Sequence, residues 1–94
     1  MFRIEYKNRF KKDLKLLKKR SVSDFYYLQD FIKKLQKIGC KGIPAKNRPH
    51  MLAGRFNGYC ETHVKPDLLL IWKEDIEANE IVLIRTGSHS DLFK

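Results

Sequence analysis

The spacing of apolar positions changes period twice along this chain. Residues 2–6, Phe-Arg-Ile-Glu-Tyr, alternate apolar and polar, which predicts a half-buried strand. From Asn8, a candidate N-cap, the period becomes helical, with Phe10, Leu14 and Leu17 on one stripe and Lys or Arg over the other faces. Ser21-Val-Ser-Asp24 reads as a fresh helix start. Phe25, Leu28, Ile32 and Leu35 form the buried stripe of that second helix, Phe31 and Ile38 widen it, and Gly39 stops it. Two helices joined by so short a link fold back as a hairpin.

Residues 39–55 hold Gly39, Gly42, Pro44, Pro49 and Gly54 with no sustained period, so a loop carrying His50 is expected. Tyr59 to Val64, Leu68 to Lys73 and Glu80 to Arg85 then read as three strands, with turns at Lys65-Pro-Asp67 and at Asp75 to Asn79. They form an antiparallel meander, and a short segment, Ser88 to Phe93, ends the chain. The expected architecture is α+β: an N-terminal strand and a helical hairpin packed on an antiparallel β-sheet covered on one face. With 94 residues and no repeat or linker, residues 1–94 make one domain.

Charge divides this domain. Residues 1–50 carry 15 Lys/Arg against 4 Asp/Glu, while residues 51–94 carry 5 against 7. The net charge of +9 attracts a polyanion, with nucleic acid the first candidate and an acidic protein the second. The basic half is expected to grip a backbone and the second half to carry chemistry. Lys11, Lys12, Lys15, Lys18 and Lys19, with Arg20, put six basic residues in ten positions, more than solubility requires.

Two cysteines, Cys40 and Cys60, are too few for a disulfide framework, and reduced thiols are expected. The longest purely apolar run, Leu68 to Trp72, is too short to span a bilayer, and the N-terminus shows no apolar signal segment. These features predict a soluble cytoplasmic protein without a membrane partner.

All three histidines lie from residue 50 onward, near an Asp, an Arg and a terminal Phe. Meander order brings His63, Asp67 and Arg85 toward one edge of the sheet, and the terminal segment brings His89 and Phe93 nearby. Such a group suits RNA cleavage without a metal. A base takes the 2′-hydroxyl proton, a cation holds charge on the phosphate, and an acid protonates the leaving 5′-oxygen. Histidine serves either proton transfer. Arginine offers a permanent fork of donors, and an aromatic ring stacks on a base.

Each residue also has a plainer use. A lone surface His is usually solvated, Asp67 follows Pro66 where Asp commonly bonds a turn backbone, Arg85 fits a strand-end salt bridge, and Phe93 fits a core plug. Convergence of His50, His63 and His89 on a metal is the rival use of the imidazoles. Their spacing is not diagnostic of it, and the proline between His63 and Asp67 disfavours a helical zinc motif.

Three stretches carry a resemblance: Pro49-His50-Met-Leu-Ala-Gly54, Gly58-Tyr-Cys-Glu-Thr-His63-Val-Lys-Pro-Asp67-Leu-Leu-Leu-Ile-Trp72-Lys73, and Arg85-Thr-Gly-Ser-His89-Ser-Asp-Leu-Phe93. With them the chain resembles the YafQ branch of the RelE/ParE toxins of bacterial toxin–antitoxin pairs. The resemblance implies a RelE-like fold and an endoribonuclease that cuts mRNA in the ribosomal A site, without cofactor or metal, until a cognate antitoxin inhibits it. It places functional positions on His50, His63, Asp67, Arg85, His89 and Phe93. Where relatives commonly have Gly-Tyr-Arg, this chain has Cys60, which puts more of the RNA grip on its lysines.

On this reading His89 is the general acid and Asp67 the base or the group orienting it. His50 and His63 share proton transfer or contact the phosphate, Arg85 stabilises the transition state, and Phe93 holds the nucleotide. The lysines of the first helix contact ribosomal RNA. Two other classes compete: a ParE-like inhibitor of DNA gyrase, which needs no such set of residues, and a non-catalytic nucleic-acid-binding module.

Overall fold

The computed structural model of the chain describes residues 1–54 and 58–93. Its elements are β1 (Arg3–Tyr6), α1 (Asn8–Arg20), α2 (Val22–Ile38), β2 (His50–Met51), β3 (Cys60–Lys65), β4 (Leu68–Asp75), β5 (Glu80–Gly87) and α3 (His89–Leu92). The sheet order is β1-β5-β4-β3-β2. Strands β2 to β5 pair antiparallel, as the turn signals require, while β1 joins β5 in parallel after the hairpin crossover. The α+β class holds, and the first strand makes its sheet mixed.

The hairpin covers one face. Phe10, Leu28, Ile32 and Leu35 meet Val64, Leu68, Leu70, Trp72, Ile81 and Leu83 in the main core. Trp72 is fully buried there, and truncating it to Ala would cost about 3–5 kcal/mol. The second face is not bare as expected: Leu92 of α3 packs on Leu69 and Ile71 of β4. That contact positions the chain's last turn.

Several local expectations are corrected. Asn8 is the first helical residue and caps nothing; extended Lys7 precedes it with no side-chain cap bond. Ser21 does cap α2, accepting from Asp24 N, and Gly39 ends it at φ +68°. Ile38 lies past the edge of the buried stripe and is 47% exposed, while half-buried Phe25 sits under the Lys18 ammonium. The expected loop contains two short 3-10 turns, Cys40–Gly42 and Ala45–Asn47, and the edge strand β2. Residue 55, its expected end, lies outside the described residues.

Candidate functional site

Alternation along β3 sends Cys60 and Val64 into the main core and turns His63 to the opposite face. That is the face on which α3 docks. A capping box builds α3: the Ser88 hydroxyl accepts from Asp91 N, and the Asp91 carboxylate accepts from Ser88 N at 3.1 Å. Gly87 is needed beside it, because a Cβ there would stand 3.0 Å from Asp91 Oδ2. Arg20 Nη1 donates to the same carboxylate at 2.9 Å and ties the turn to the end of α1. The Ser88 bonds, and then Arg20, hold the Asp91 carboxyl below the usual carboxylate range against a smaller opposing effect of burial.

This turn sets the rings. His89 lies 5.7 Å from His63 and 5.8 Å from Phe93, centroid to centroid, both tilted. Asp67 Oδ1 accepts from His89 N at 3.3 Å and lies 4.0 Å from His89 Nδ1. Phe93 is 42% exposed, so it is not the core plug of the plainer reading. His63, Asp67, His89 and Phe93 thus form one group.

His50 joins it through a neighbour. Its Nδ1 bonds Arg48 O at 3.0 Å, and Arg48 Nη2 lies 3.4 Å from His63 Nδ1. On its other side His50 Nε2 stands 3.2 Å from Glu61 Oε1, its register partner on β3. Glu61 was missed in the sequence. Its side chain is only 4% exposed, and its second oxygen has no hydrogen-bond partner among the described residues. The pairing is invisible until β2 is recognised as a strand.

Arg85 stands apart. Strand β1 pairs only with residues 80–83 of β5, and farther along Asp13 of α1 accepts from Thr86 N at 3.1 Å. The same carboxylate takes Arg85 Nε at 2.7 Å and Nη2 at 3.4 Å. Arg85 and Asp67 still line a common cleft of about 260 Å³, with Arg9, Arg20 and Asp24. Lys11, Lys12, Lys15, Lys18 and Lys19 are all exposed on α1.

Among the described residues no group of three His, Cys, Asp or Glu is arranged to hold a metal ion. Both cysteines are free thiols. Burial, then the neighbouring Cys40, pushes the Cys60 thiol up to about 12. No described helix is long and apolar enough to cross a membrane.

Two imidazoles in ring contact, a carboxylate beside one of them and an exposed aromatic thus sit together on one face of a small α+β sheet. Residues 2–94 match the family described as bacterial toxin of type II toxin-antitoxin system, YafQ. The mRNA interferase toxin YafQ of Escherichia coli (strain K12) is 36% identical over 92 residues, 96% of this chain and 94% of that one. The E. coli DinJ-YafQ complex contains a chain superposing with a TM-score of 0.82 at 34% identity, with all of both chains covered. A metal-bound toxin from Helicobacter pylori superposes at 0.84 and 36% identity, covering 99% of this chain and 100% of that one. The chain belongs to the YafQ toxin family.

Proposed function

We propose that this protein is an endoribonuclease toxin that cleaves mRNA in the ribosomal A site and so stops translation. The reading rests on one arrangement above all: His63, His89 and Phe93 in successive ring contact, with Asp67 against His89. The base, Asp67 itself or the group it orients, removes the 2′-hydroxyl proton. The 2′-oxygen then bonds to phosphorus as the bond to the 5′-oxygen breaks, and His89 returns a proton to that leaving oxygen. The products are a 2′,3′-cyclic phosphate and a 5′-hydroxyl.

His50 and His63 share the proton transfers or hold the phosphate. Arg85 adds positive charge through donors that Asp13 does not engage, and Phe93 stacks on a base. The reaction uses proton transfer and fixed charge, without a metal. The lysines of α1 meet ribosomal RNA, and reversing their charge is expected to weaken ribosome binding and flatten its salt dependence.

The E. coli relative is found in complex with DinJ. By analogy a cognate antitoxin neutralises this protein in the cytoplasm, presenting acidic and apolar residues to its basic surface. The test is incubation with translating ribosomes and mapping of new mRNA 5′ ends. New 5′-hydroxyl ends within A-site codons, formed equally with a transition-metal chelator present, are expected. Intact mRNA would overturn the proposal, and loss of cleavage in the chelator would overturn its metal-free part.

A further inference from the structure

Arg48 is an unusual residue to find where it is. It closes the second 3-10 turn in the left-handed region, φ 48° and ψ 56°, a conformation that favours glycine or asparagine. Strain of this kind persists only where the surroundings impose it. Here two bonds pin the preceding residue to β3: Asn47 Nδ2 donates to His63 O at 2.6 Å, and Thr62 Oγ1 donates to Asn47 O at 2.8 Å. The turn therefore carries Arg48 to a set place beside the histidines. Its carbonyl takes His50 Nδ1, and its guanidinium lies against His63 Nδ1.

Charge compensation separates this arginine from Arg9, Arg20 and Arg85. Arg85 is paired with Asp13, Arg20 with Asp91, and Lys65 with Asp24. Among the described residues no carboxylate pairs with Arg48 or with Lys46, two residues away. Both line a groove of about 320 Å³ together with Tyr27, Asn47, His63 and Lys65. His63 and the two uncompensated cations Lys46 and Arg48 line this groove together, with Lys65, paired to Asp24, beside them.

We propose that Arg48 is a second phosphate-holding cation of the site, binding the scissile phosphate on the His63 side, and that its groove receives the adjoining RNA backbone. The inference rests on the RNA-cleavage reading above. In cleavage by the 2′-hydroxyl the phosphorus centre gains negative charge as the new bond forms, and Arg85, already offset by Asp13, answers only part of it. His63 Nδ1 lies 3.4 Å from Arg48 Nη2 and also 3.4 Å from Pro66 O. Arg48 only donates and the carbonyl only accepts, so a proton on Nδ1 directs His63 to Pro66 and releases Arg48 to the phosphate.

Arg48→Gly tests this without threatening the turn, since glycine adopts the same backbone freely and retains the carbonyl that holds His50. Arg48→Lys keeps the charge. Single-turnover cleavage of ribosome-bound mRNA is measured for the parental protein and both variants, with circular dichroism and melting temperature as fold controls. Arg48→Gly is expected to lose about 100-fold in rate with its fold intact, and Arg48→Lys to recover part of that loss. The salt slope of RNA binding should fall by about one in Arg48→Gly. Parental cleavage matched by Arg48→Gly, or an equal loss in Arg48→Lys and Arg48→Gly with no change in salt slope, would overturn the role while leaving the RNA-cleavage reading standing. Absence of cleavage by the parental protein would overturn both.

Discussion

Asp13 of α1 accepts from Arg85 Nε at 2.7 Å, joining residues 72 apart in the chain through side chains only 9% and 13% exposed. With Thr86 N on the same carboxylate, Asp13 occupies the position along β5 that β1 is too short to fill. Removing one partner strands a largely buried charge. Asp13→Ala should cost about 3–5 kcal/mol in denaturant unfolding, and Asp13→Ala with Arg85→Met should cost less than Asp13→Ala alone. A single variant as stable as the parental protein would show that the pair contributes nothing.

Glu61 separates activity from stability. It holds His50 while burying an oxygen without a partner, so Glu61→Gln removes charge from a place where charge is costly. Unfolding free energy should stay the same or rise. Loosening the hold on His50 should slow mRNA cleavage by up to about 100-fold. Unchanged cleavage would make the contact merely structural.

Asp91 gives α3 a pH dependence. Its carboxyl is held below the ordinary range, so its contribution is present above the unfolded-state value and is lost as pH falls through the lowered folded-state value. The exchange protection factors of the amides at residues 91–93, taken relative to the unfolded-chain rate at each pH, should fall over that acid window and be higher at neutral pH. Asp91→Ala removes the reciprocal cap, at a cost of about 1 kcal/mol, and should abolish the acid step. A step that persists in Asp91→Ala would assign it to another carboxyl.

Much of this was legible because local signals agreed with tertiary ones. Ser21 and Gly39 bracket α2 as turn and cap chemistry demand, and the meander follows from its Lys65-Pro-Asp67 turn. Three of the six named site residues, His63, His89 and Phe93, stand in successive ring contact. What stayed hidden depends on pairing rather than period. Strand β2 is two residues long, too short for any alternation, so neither its register with Glu61 nor the nearness of Arg48 to His63 has a local signal. Asp13 sits among lysines on a helix and reads as a solvated charge; its burial follows from where β1 ends.

Cys60 offers a check on the sheet interior. With its thiol pushed up to about 12, it stays protonated at neutral pH, and burial shields it as well. At pH 8 it should react with an aromatic disulfide reagent far more slowly than in the unfolded chain. Because the folded-state value is raised, the associated stability is complete below the thiol's unfolded value and declines as pH climbs toward 12. Rapid native-state labelling at Cys60 would place it nearer solvent than its 5% exposure allows.

His89 touches every other member of the ring group, so its removal bears most directly on whether that group performs the cleavage. The measurement is the single-turnover rate on ribosome-bound mRNA for the parental protein and for His89→Ala, each with its fold verified. A fall of about 100- to 1,000-fold is expected for His89→Ala; a folded His89→Ala that cuts at the parental rate would contradict the assignment of this site.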